Sequence, residues 1–433
     1  MLRYLLKKIA YGFLVLLGVL TIVFSIFNLK PGDPAALSGG QNTTEDIVKN
    51  FNKEWGLDQS IFIRYFHFLN DVFPISFHNY SNQNSFFHYD DGKYDSFFTL
   101  KYSDNYLVAF KAPYLKKSYL NNRSVASLIS EKLLGTIILA SFSIVIASII
   151  GVFLGVISAY RLDGFADKFS IIFSIAGMSA PSFFMASIIS VIGGYYWSEN
   201  IHFPLLPIIF LVIFIGFRYY KYRLSFYRFW KSYVKSGLKG FIVGLGVWLL
   251  LITLKNMFLI EQIDPLFFYF NLPGTGLDPS GSIIQINEIN GGKEYNWSHL
   301  ILPCLTLSLR PLAIVALLTK KSMEDVLSSD FIRTARAKGL SPVYMIWKHA
   351  IRNAINPVIT AISGWFASLL AGAVFVEMIF NWDGIGSVLV SALKNDDLPV
   401  VMGITLVISI IFVLINLLVD VIYSLIDPRV VLK

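Results

Sequence analysis

A series of long apolar stretches constrains this chain more than any other feature. The stretches lie at residues 9–29, 133–160, 171–197, 205–217, 241–254, 300–318, 358–380 and 400–426. A helix needs about 20 apolar residues to cross a bilayer core about 30 Å thick. Only 15% of the residues are charged, against about 25% in a typical soluble domain. The sequence therefore predicts an all-α integral membrane protein.

Three of these stretches allow a second interpretation. The first follows a basic N-terminus, as the apolar part of a signal peptide does. It is long enough to span and ends without a small-residue cleavage site, which favours an uncleaved span. The stretches 205–217 and 241–254 are short, and they reach span length only with flanking aromatic residues. Re-entrant or interfacial helices are the alternative for these two.

Basic residues predict the orientation of the spans. The loop from Arg218 to Lys239 carries seven basic residues and no acidic residue. This loop, the N-terminal MLRYLLKK, the turn 161–168 and the segment 320–352 all fall inside when eight spans start from a cytoplasmic N-terminus. The C-terminus then also lies inside. The net charge of +8 therefore indicates cytoplasmic loops and contact with membrane lipid, with no nucleic-acid binding.

These spans divide the chain into six regions. In order, they are the first span with its cytoplasmic tip (1–30), an extracytoplasmic region (31–132), spans two and three (133–197), a hairpin with the basic loop (198–263), an extracytoplasmic loop (264–299) and a membrane core (300–433). Residues 74–122, called the insertion below, are rich in Tyr, Phe, Asn and Ser. We expect the insertion to be irregular or β-rich.

One basic segment combines charge with ordered turn signals. It reads DFIRTARAKGLSPVYMIWKHAIRNAINP over residues 330–357. Gly339 is placed to end a helix in the left-handed conformation. Ser341 and Pro342 are placed to cap and open the next helix. A basic loop that only lies at anionic headgroups needs no defined turn, so the sequence favours a short helix–turn–helix.

We expect the second helix of this segment to be amphipathic. Leu340 and Met345 match the hydrophobic staple that flanks a helix cap. Lys348 and Arg352 share a polar face at i, i+4 spacing, and Pro357 is expected to end the helix before the next span. The apolar face is expected to carry Val343, Trp347, Ala350, Ile351 and Ala354.

The segment also carries a recognisable pair of motifs. RTARAKGL followed by HAIRNAINP resembles the EAA-type loop of ABC importer permeases, most closely in the dipeptide/oligopeptide/nickel subfamily. Arg333 and Thr334 stand where the general EAA pattern has Glu and Ala, as in the peptide subfamily. Further motifs agree in the family's order: PGDPA, GMSAPSFF, NWSHLILPCLTLSLRPLA, GAVFVEMIFNWDGIG and NLLVDVIYSLIDPR.

The resemblance implies a fold and a set of partners. The fold would be a six-span type I ABC importer permease core with an extra helical hairpin, about eight spans in all, and an enlarged extracytoplasmic insertion. A second related permease, usually as a heterodimer, two cytoplasmic ABC ATPase subunits and an extracytoplasmic solute-binding protein would complete the transporter. Its location would be the bacterial cytoplasmic (inner) membrane.

The resemblance also implies which residues act. The coupling segment, residues 325–357, would insert into the ATPase. The coupling residues would be Arg333, Thr334, Ala335, Arg336, Ala337, Lys338, Gly339, Leu340 and Ser341. The chain lacks a GxxxxGK[ST] phosphate loop. It would therefore be no enzyme and bind no cofactor, and its partner subunits would use ATP and Mg.

Other candidate residues are few. Arg310 is the candidate for the pathway, because an ionisable group inside a span is functional by default. Glu377 and Asp420 lie near span ends, where helix pairing or snorkelling is expected. Cys304 lies in an apolar run and is expected to be a packing residue. The six histidines show no metal-ligand spacing, and we expect ordinary surface residues and no metal site.

Two other functions stay open at this stage. A secondary transporter or channel could work alone, but the spans carry no proton relay, and SAPSF offers a single Pro-interrupted helix. A membrane-bound enzyme or sensor could use Asp90, Asp91 and Asp95, although acids clustered in a Tyr/Asn-rich loop are usually solvated. The cargo also stays open, because peptides, nickel chelates and glycosides all pass through similar permeases.

Overall fold

The computed structural model describes residues 2–29, 48–49, 52, 55–82, 85–199, 201–222, 230–258, 269–272, 275–278, 280–286 and 293–426. The PGDPA motif, residues 223–229 of the basic loop and the C-terminal DPRVVLK lie outside these residues. The chain forms two compact units. One comprises Met1–Ser190 and Ser280–Lys433, and the other comprises Val191–Pro279.

Helices make up most of both units. In chain order they are α1 Leu2–Leu29, α2 Ile61–Val72, α3 Val125–Tyr160, α4 Phe165–Ser179, α5 Ser182–Ile189 followed by the π-helical Ser190–Tyr196, α6 Leu205–Tyr222, α7 Trp230–Phe258, α8 Ser298–Leu327, α9 Asp330–Ala337, α10 Ile351–Gly372, α11 Val374–Ile379, α12 Ile385–Lys394 and α13 Leu398–Ile426. Between α9 and α10 lie a helical turn, Pro342–Tyr344, and a π-helical segment, Met345–Ala350.

The all-α membrane fold is confirmed, but the number of spans is not settled at eight. Within the described residues, five helices are long and apolar enough to span, in α1, α3, α7, α8 and α13. A sixth span follows if α4 and the helix after Pro181 count as one, bent by 109° at their break. The predicted spans in α6 and α10 are not among them, so the count of eight stays a prediction.

Two glycines set a close helix contact of the membrane core. Gly151 and Gly155 lie one turn apart on α3 and face α8. A Cβ atom at Gly155 would lie 2.6 Å from the carbonyl oxygen of Ala316, and one at Gly151 would lie 3.0 Å from that of Leu312. Small residues four apart let helix backbones approach closely in a membrane. Helices α3 and α8 therefore form a tightly packed pair.

The second unit contains an antiparallel helical hairpin of α6 and α7. Helices α6 and α7 approach closely at Gly240, where a Cβ atom would lie 2.5 Å from the carbonyl oxygen of Phe210. The Ser236 hydroxyl donates to the carbonyl oxygen of Phe214 at 3.1 Å. Strands β4 (Ile201–Pro204) and β5 (Tyr269–Leu272) pair antiparallel. In the chain, β4 precedes the hairpin and β5 follows it.

The insertion folds as a three-stranded antiparallel sheet. Its strands are β1 Ile75–Asn79, β2 Ser96–Lys101 and β3 Tyr106–Lys111, in the order β1–β3–β2. One face is buried, with Leu107 and Ala109 packed against Tyr89 and Tyr94. A short hairpin of β6 (Ile284–Ile286) and β7 (Lys293–Tyr295) precedes α8. The expectation of a β-rich insertion agrees with this sheet.

Candidate functional site

The first helix of the coupling segment ends as its sequence predicts. Helix α9 closes at Ala337, and Gly339 adopts a left-handed φ of 76°. The Gly339 N–H donates to the carbonyl oxygen of Arg336 at 3.0 Å, and the Leu340 N–H donates to that of Ala335 at 3.4 Å. These two bonds are those of a Schellman motif, which satisfies the last carbonyl groups of a helix. The bend is therefore a defined structure.

The next helical turn begins at the predicted cap. The Ser341 hydroxyl accepts from the Tyr344 N–H at 3.4 Å, and Pro342 occupies the first turn. The Met345 N–H donates to the Ser341 carbonyl oxygen at 3.0 Å. Ser341 thus satisfies backbone groups that a helix start leaves unpaired.

One side of the coupling segment is buried against two membrane helices. Ile332 and Ala335 of α9 and Met345 and Ile346 of the π-helical segment share a cluster with Ala159 of α3, Met323 of α8, Ala350 and Ala354. Leu340 packs against the same cluster. The Ser322 hydroxyl also donates to the carbonyl oxygen of Ala354 at 2.7 Å. The segment is thus attached to α3, α8 and α10 by side-chain packing as well as by the chain.

The predicted apolar face of the second helix is partly wrong. Ala350 and Ala354 are buried, but Val343 and Trp347 are 67% and 68% exposed. The cause is the π-helical segment Met345–Ala350, whose wider turn rotates the residues relative to a regular α-helix. The expected break at Pro357 is also wrong, because Pro357 lies inside α10, which runs to Gly372.

The other side of the coupling segment is open and basic. Of the nine predicted coupling residues, all are exposed except Ala335, which is buried, and Leu340, which is half-buried. Arg333, Arg336 and Lys338 point their charges away from the cluster on this exposed side, and Arg333 lies 3.4 Å from Asp330. A partner that fits this side would present acidic or hydrogen-bond-accepting groups.

An ion pair ties together the ends of three helices close to the coupling segment. Asp167, in the first turn of α4, accepts from the Ser158 hydroxyl of α3 at 2.5 Å and from the Lys320 ammonium of α8 at 2.6 Å. The Asp163 N–H donates to the same carboxylate at 3.1 Å. These contacts join α3, α4 and α8 on the side of the membrane where the coupling segment lies.

Arg310 lies on an exposed side of α8 within the membrane core. Its guanidinium carbon is 5.6 Å from the centre of the Trp365 ring of α10, a cation–π distance. An exposed arginine in a span requires water or a protein partner, because hydrocarbon does not solvate the charge. Arg310 therefore marks a face of the bundle that lipid alone does not cover.

Glu377 joins the end of α11 to α3 and α12. Its carboxylate accepts from the Thr136 hydroxyl at 2.7 Å, from the Gly386 N–H at 2.7 Å and from the Ser387 N–H at 3.2 Å. The side chain is fully buried and stabilises the first turn of α12. At the other end of the bundle, Asp420 pairs with Lys8 of α1. Both acids therefore pair helices, as expected near span ends.

A buried charge cluster between α2 and the insertion went unnoticed in the sequence. Asp71 of α2 is fully buried, and its carboxylate accepts from the Tyr94 hydroxyl at 2.7 Å. The ammonium groups of Lys93 and Lys116 lie 3.7 and 3.9 Å from this carboxylate. Burial alone would raise the pKa of Asp71, but His67 and the two lysines outweigh it, so the net shift of this pKa is downward.

Three of the six histidines are buried, so the expectation that all six are surface residues is wrong for these three. His67 and His78 are 5% and 2% exposed, and His299 is also buried. The His67 ring lies 4.1 Å from the Phe86 ring, and the His78 ring lies 4.7 Å from the Tyr94 ring. Burial lowers the pKa of His67 to about 3 and that of His78 to about 4. The rings of His67 and His78 are buried by aromatic residues that lie later in the chain. Such contacts cannot be predicted from a local sequence pattern.

Comparisons with known proteins agree with this architecture. Residues 241–432 match the family described as binding-protein-dependent transport system inner membrane component, and residues 1–85 match the N-terminal family of the same system. Together the two matches cover well over half of the chain.

Similar proteins extend over nearly the whole length. The probable peptide ABC transporter permease of Sinorhizobium fredii is 28% identical, over 99% of this chain and 98% of its own. The dipeptide transport system permease of Alkalihalophilus pseudofirmus is also 28% identical, and the glutathione transport system permease of Escherichia coli strain K12 is 26% identical, each over 99% of both chains. This chain therefore belongs to the binding-protein-dependent inner membrane components and is an ABC importer permease of the peptide family.

Proposed function

We propose that this permease forms part of the membrane pathway for short peptides or similar small solutes, and that cytoplasmic ATPase subunits drive it through residues 333–341. The three relatives above are named for peptide, dipeptide and glutathione transport, which supports a peptide-like cargo. A second related permease and an extracytoplasmic solute-binding protein complete the proposed transporter. In this arrangement both termini face the cytoplasm of a bacterial cell.

The observation that carries the proposal is the two-sided coupling segment. Its buried side is packed on α3 and α8 through Ile332, Met345 and Ile346, and its exposed side ends in the hydrogen-bonded bend at Gly339. Packed interiors deform little, so a push on the bend moves the attached helices rather than the loop alone. The chain has no phosphate loop of its own, so the push requires a separate ATPase.

Arg310 is the proposed pathway residue. Its charge lies on an exposed face of α8, beside Trp365. When a second permease subunit faces this surface, the arginine lies between the two bundles, where water and a peptide carboxylate can solvate its charge. We expect Arg310→Gln to reduce uptake of acidic or free-carboxylate cargo more than uptake of amidated cargo.

Substitution of Gly339 tests the coupling. A Cβ atom at Gly339 would meet no atom of this chain within 4 Å, so a Trp side chain has space in the permease but would obstruct a docked partner. Any side chain here also strains the left-handed backbone of the bend. We expect Gly339→Trp to abolish ATP-driven uptake while the permease stays in the membrane at normal levels. Gly339→Asn, which tolerates the left-handed backbone, is the matched control and should retain uptake. Full uptake by the Trp variant would overturn the coupling assignment.

One observation favours a second candidate function, a transporter that works alone. The helix broken at Pro181, with its bend of 109°, resembles the discontinuous helices that bind substrate in secondary transporters. Nucleotide-free, gradient-driven uptake by the purified chain in liposomes would favour that function. The ATP-driven proposal predicts no uptake until ATPase subunits and nucleotide are added.

A further inference from the structure

The insertion exposes an apolar sheet face that the transport proposal does not use. In the described register, Ile75, Phe110 and Phe98 form one row across the three strands, and Phe77, Val108 and Leu100 form the next. Phe77 and Phe98 are 60% and 56% exposed. The opposite face carries the buried Ser76, His78 and Lys111. A soluble ectodomain would not leave so many large apolar side chains together on one surface.

Polarity changes along this face in one direction. The third row contains Asn79 and Tyr106, and Tyr102 stacks on Tyr106 with ring centres 6.1 Å apart. Rows two residues apart are separated by about 7 Å, so the face passes from Phe and Ile to Tyr and Asn within about 14 Å. The turn beyond, at Asp104 and Asn105, is polar and exposed. Membrane-interface surfaces show this same order, with tyrosine at the headgroup level.

The apolar end of the face lies next to a membrane-spanning helix. Phe73, two residues before β1, stacks on Phe13 of α1 with ring centres 5.5 Å apart. Phe13 lies inside the spanning window Leu6–Asn28. Nearer the C-terminal end of α1, Phe24 stacks on Phe68 of α2 with ring centres 6.1 Å apart. The sheet therefore starts beside a helix that is long and apolar enough to span a membrane, and the apolar row of Ile75 is the row nearest to Phe73 in the chain.

One edge of the sheet, strand β1, is also adapted to a place with little water. An edge strand leaves every second N–H and C=O group unpaired, which is costly in lipid. Here the Asn70 side chain accepts from the Phe77 N–H at 2.8 Å and donates to the Phe77 carbonyl oxygen at 3.0 Å. The Asn79 N–H donates to the Phe87 carbonyl oxygen at 2.9 Å. The outward-facing groups of β1 at these positions are thus paired within the chain.

We propose that this face binds the outer leaflet of the phospholipid bilayer, with the rows of Phe98 and Leu100 among the acyl chains and the row of Tyr106 at the headgroups. The eight paired positions of the face carry no charged side chain, which suits hydrocarbon and does not suit a charged protein surface. The insertion then supports α1 and α2 from the lipid side. On the opposite face, the β1 and β3 residues are buried within the insertion, and Thr99 and Lys101 of β2 are exposed to water.

Spin labelling tests the proposal on the full chain. The only cysteine, Cys304, is buried, so a Cys304→Ala background allows single labels. Nitroxides at Phe98→Cys, Leu100→Cys and Tyr106→Cys are compared in phosphatidylethanolamine–phosphatidylglycerol vesicles. Thr99→Cys is the matched control, because Thr99 is an exposed neighbour on the opposite face of β2. The readout is the ratio of collisions with oxygen, which partitions into lipid, to collisions with a water-soluble nickel chelate.

The expected ratio is several-fold higher at positions 98 and 100 than at 99, with position 106 between them. Ratios at 98 and 100 as low as the ratio at 99 would place the face in water and overturn the proposal. Low collision rates with both reagents at 98 and 100 would mean that protein covers the face, and would also overturn it. Positions 98 and 100 are independent, so loss of one variant leaves the test intact. Uptake measurements do not enter this test, which keeps it separate from the transport proposal.

Discussion

The coupling segment and the insertion distribute charge in opposite ways. The coupling segment buries Ile332, Met345 and Ile346 and turns its arginines and lysines outward. The insertion, packed on α2, buries Asp71 and His67 of that helix and turns its own phenylalanines outward. The difference shows that each surface matches its surroundings: a charged side suits a protein partner in water, whereas an aromatic side suits lipid.

The two regions also differ in what holds them together. The coupling segment relies on local backbone caps at Gly339 and Ser341 and on apolar packing. The insertion relies on the buried Asp71 carboxylate of α2, whose partners are His67 of α2, Lys93 and Tyr94 before β2, and Lys116 after β3. Loss of one partner of a buried charge leaves the others uncompensated. The insertion should therefore be the more sensitive region to pH and to single charge changes.

The substitution with the largest expected effect separates α3 and α8, the two helices on which the coupling segment packs. Gly155→Leu places a side chain where a Cβ atom alone would lie 2.6 Å from the Ala316 carbonyl oxygen, so α3 and α8 must separate. We expect a cost above about 3 kcal/mol and little folded permease, measured as monodisperse protein after detergent extraction. Gly18→Leu in α1 is the control, because a Cβ atom there meets nothing within 4 Å. A normal yield of the Gly155 variant would contradict the prediction, because it would show that α3 and α8 can separate at little cost.

A second substitution distinguishes the insertion from the membrane core. Asp71→Ala leaves Lys93 and Lys116 near a buried, empty position, and breaking a buried pair costs about 3–5 kcal/mol. We expect the β1–β3 sheet to become susceptible to protease while the helices of the core stay protected. Asp91→Ala, at an exposed position of the same insertion, should change nothing. Equal protection of the sheet in both variants would contradict the role of the cluster.

Acid should weaken the insertion before it affects the coupling segment. Burial lowers the pKa of His67 to about 3 and of His78 to about 4, from an ordinary value of 6.5. From pH 6.5 down to about 4, the unfolded insertion binds protons that the folded insertion does not, so stability falls as pH falls. For His67 the slope approaches about 1.4 kcal/mol per pH unit. Hydrogen exchange at pH 7 and pH 5 measures it; unchanged protection of β1–β3 at pH 5 would contradict the shifts.

The smallest expected effect concerns the cap of the coupling segment. Ser341→Ala removes the hydroxyl that accepts from the Tyr344 N–H, at a cost of about 1 kcal/mol. We expect a modest rise in hydrogen exchange over residues 341–346 and reduced, but not abolished, ATP-driven uptake. Ser341→Asp keeps a capping oxygen and should restore both. If Ser341→Ala matched the unchanged protein in both readouts, the packing of Met345 and Ile346 alone would hold the turn.

Local signals in the sequence explain why the coupling segment could be predicted. Gly339, Ser341 and Pro342 each act through backbone geometry within a few residues, and the structure places all three in the predicted roles. Val343 and Trp347 were assigned to the wrong face because the sequence carries no sign of the π-helical segment Met345–Ala350, which follows Val343 and contains Trp347. Pro357 was expected to break a helix, but α10 continues through it.

Long-range contacts explain what was missed. His67 and Asp71 lie one helical turn apart in the sequence. Their partners in the structure, Phe86, Lys93 and Tyr94, come from later in the chain. Neither helix periodicity nor charge spacing carries that information. The close contact of α3 with α8 is a different case, because Gly151 and Gly155 form a G-x-x-x-G pattern that predicts close helix packing in membranes. That signal was present and readable.

Cross-linking at the bend tests the central claim most directly. Lys338→Cys, in a background without Cys304, places a reactive thiol on the exposed side of the bend. In inverted and right-side-out vesicles carrying the whole transporter, we predict a cross-link to an ATPase subunit and labelling by an impermeant reagent from the cytoplasmic side alone. Labelling of this thiol from the outside, or no cross-link to any ATPase subunit during active uptake, would contradict the proposal.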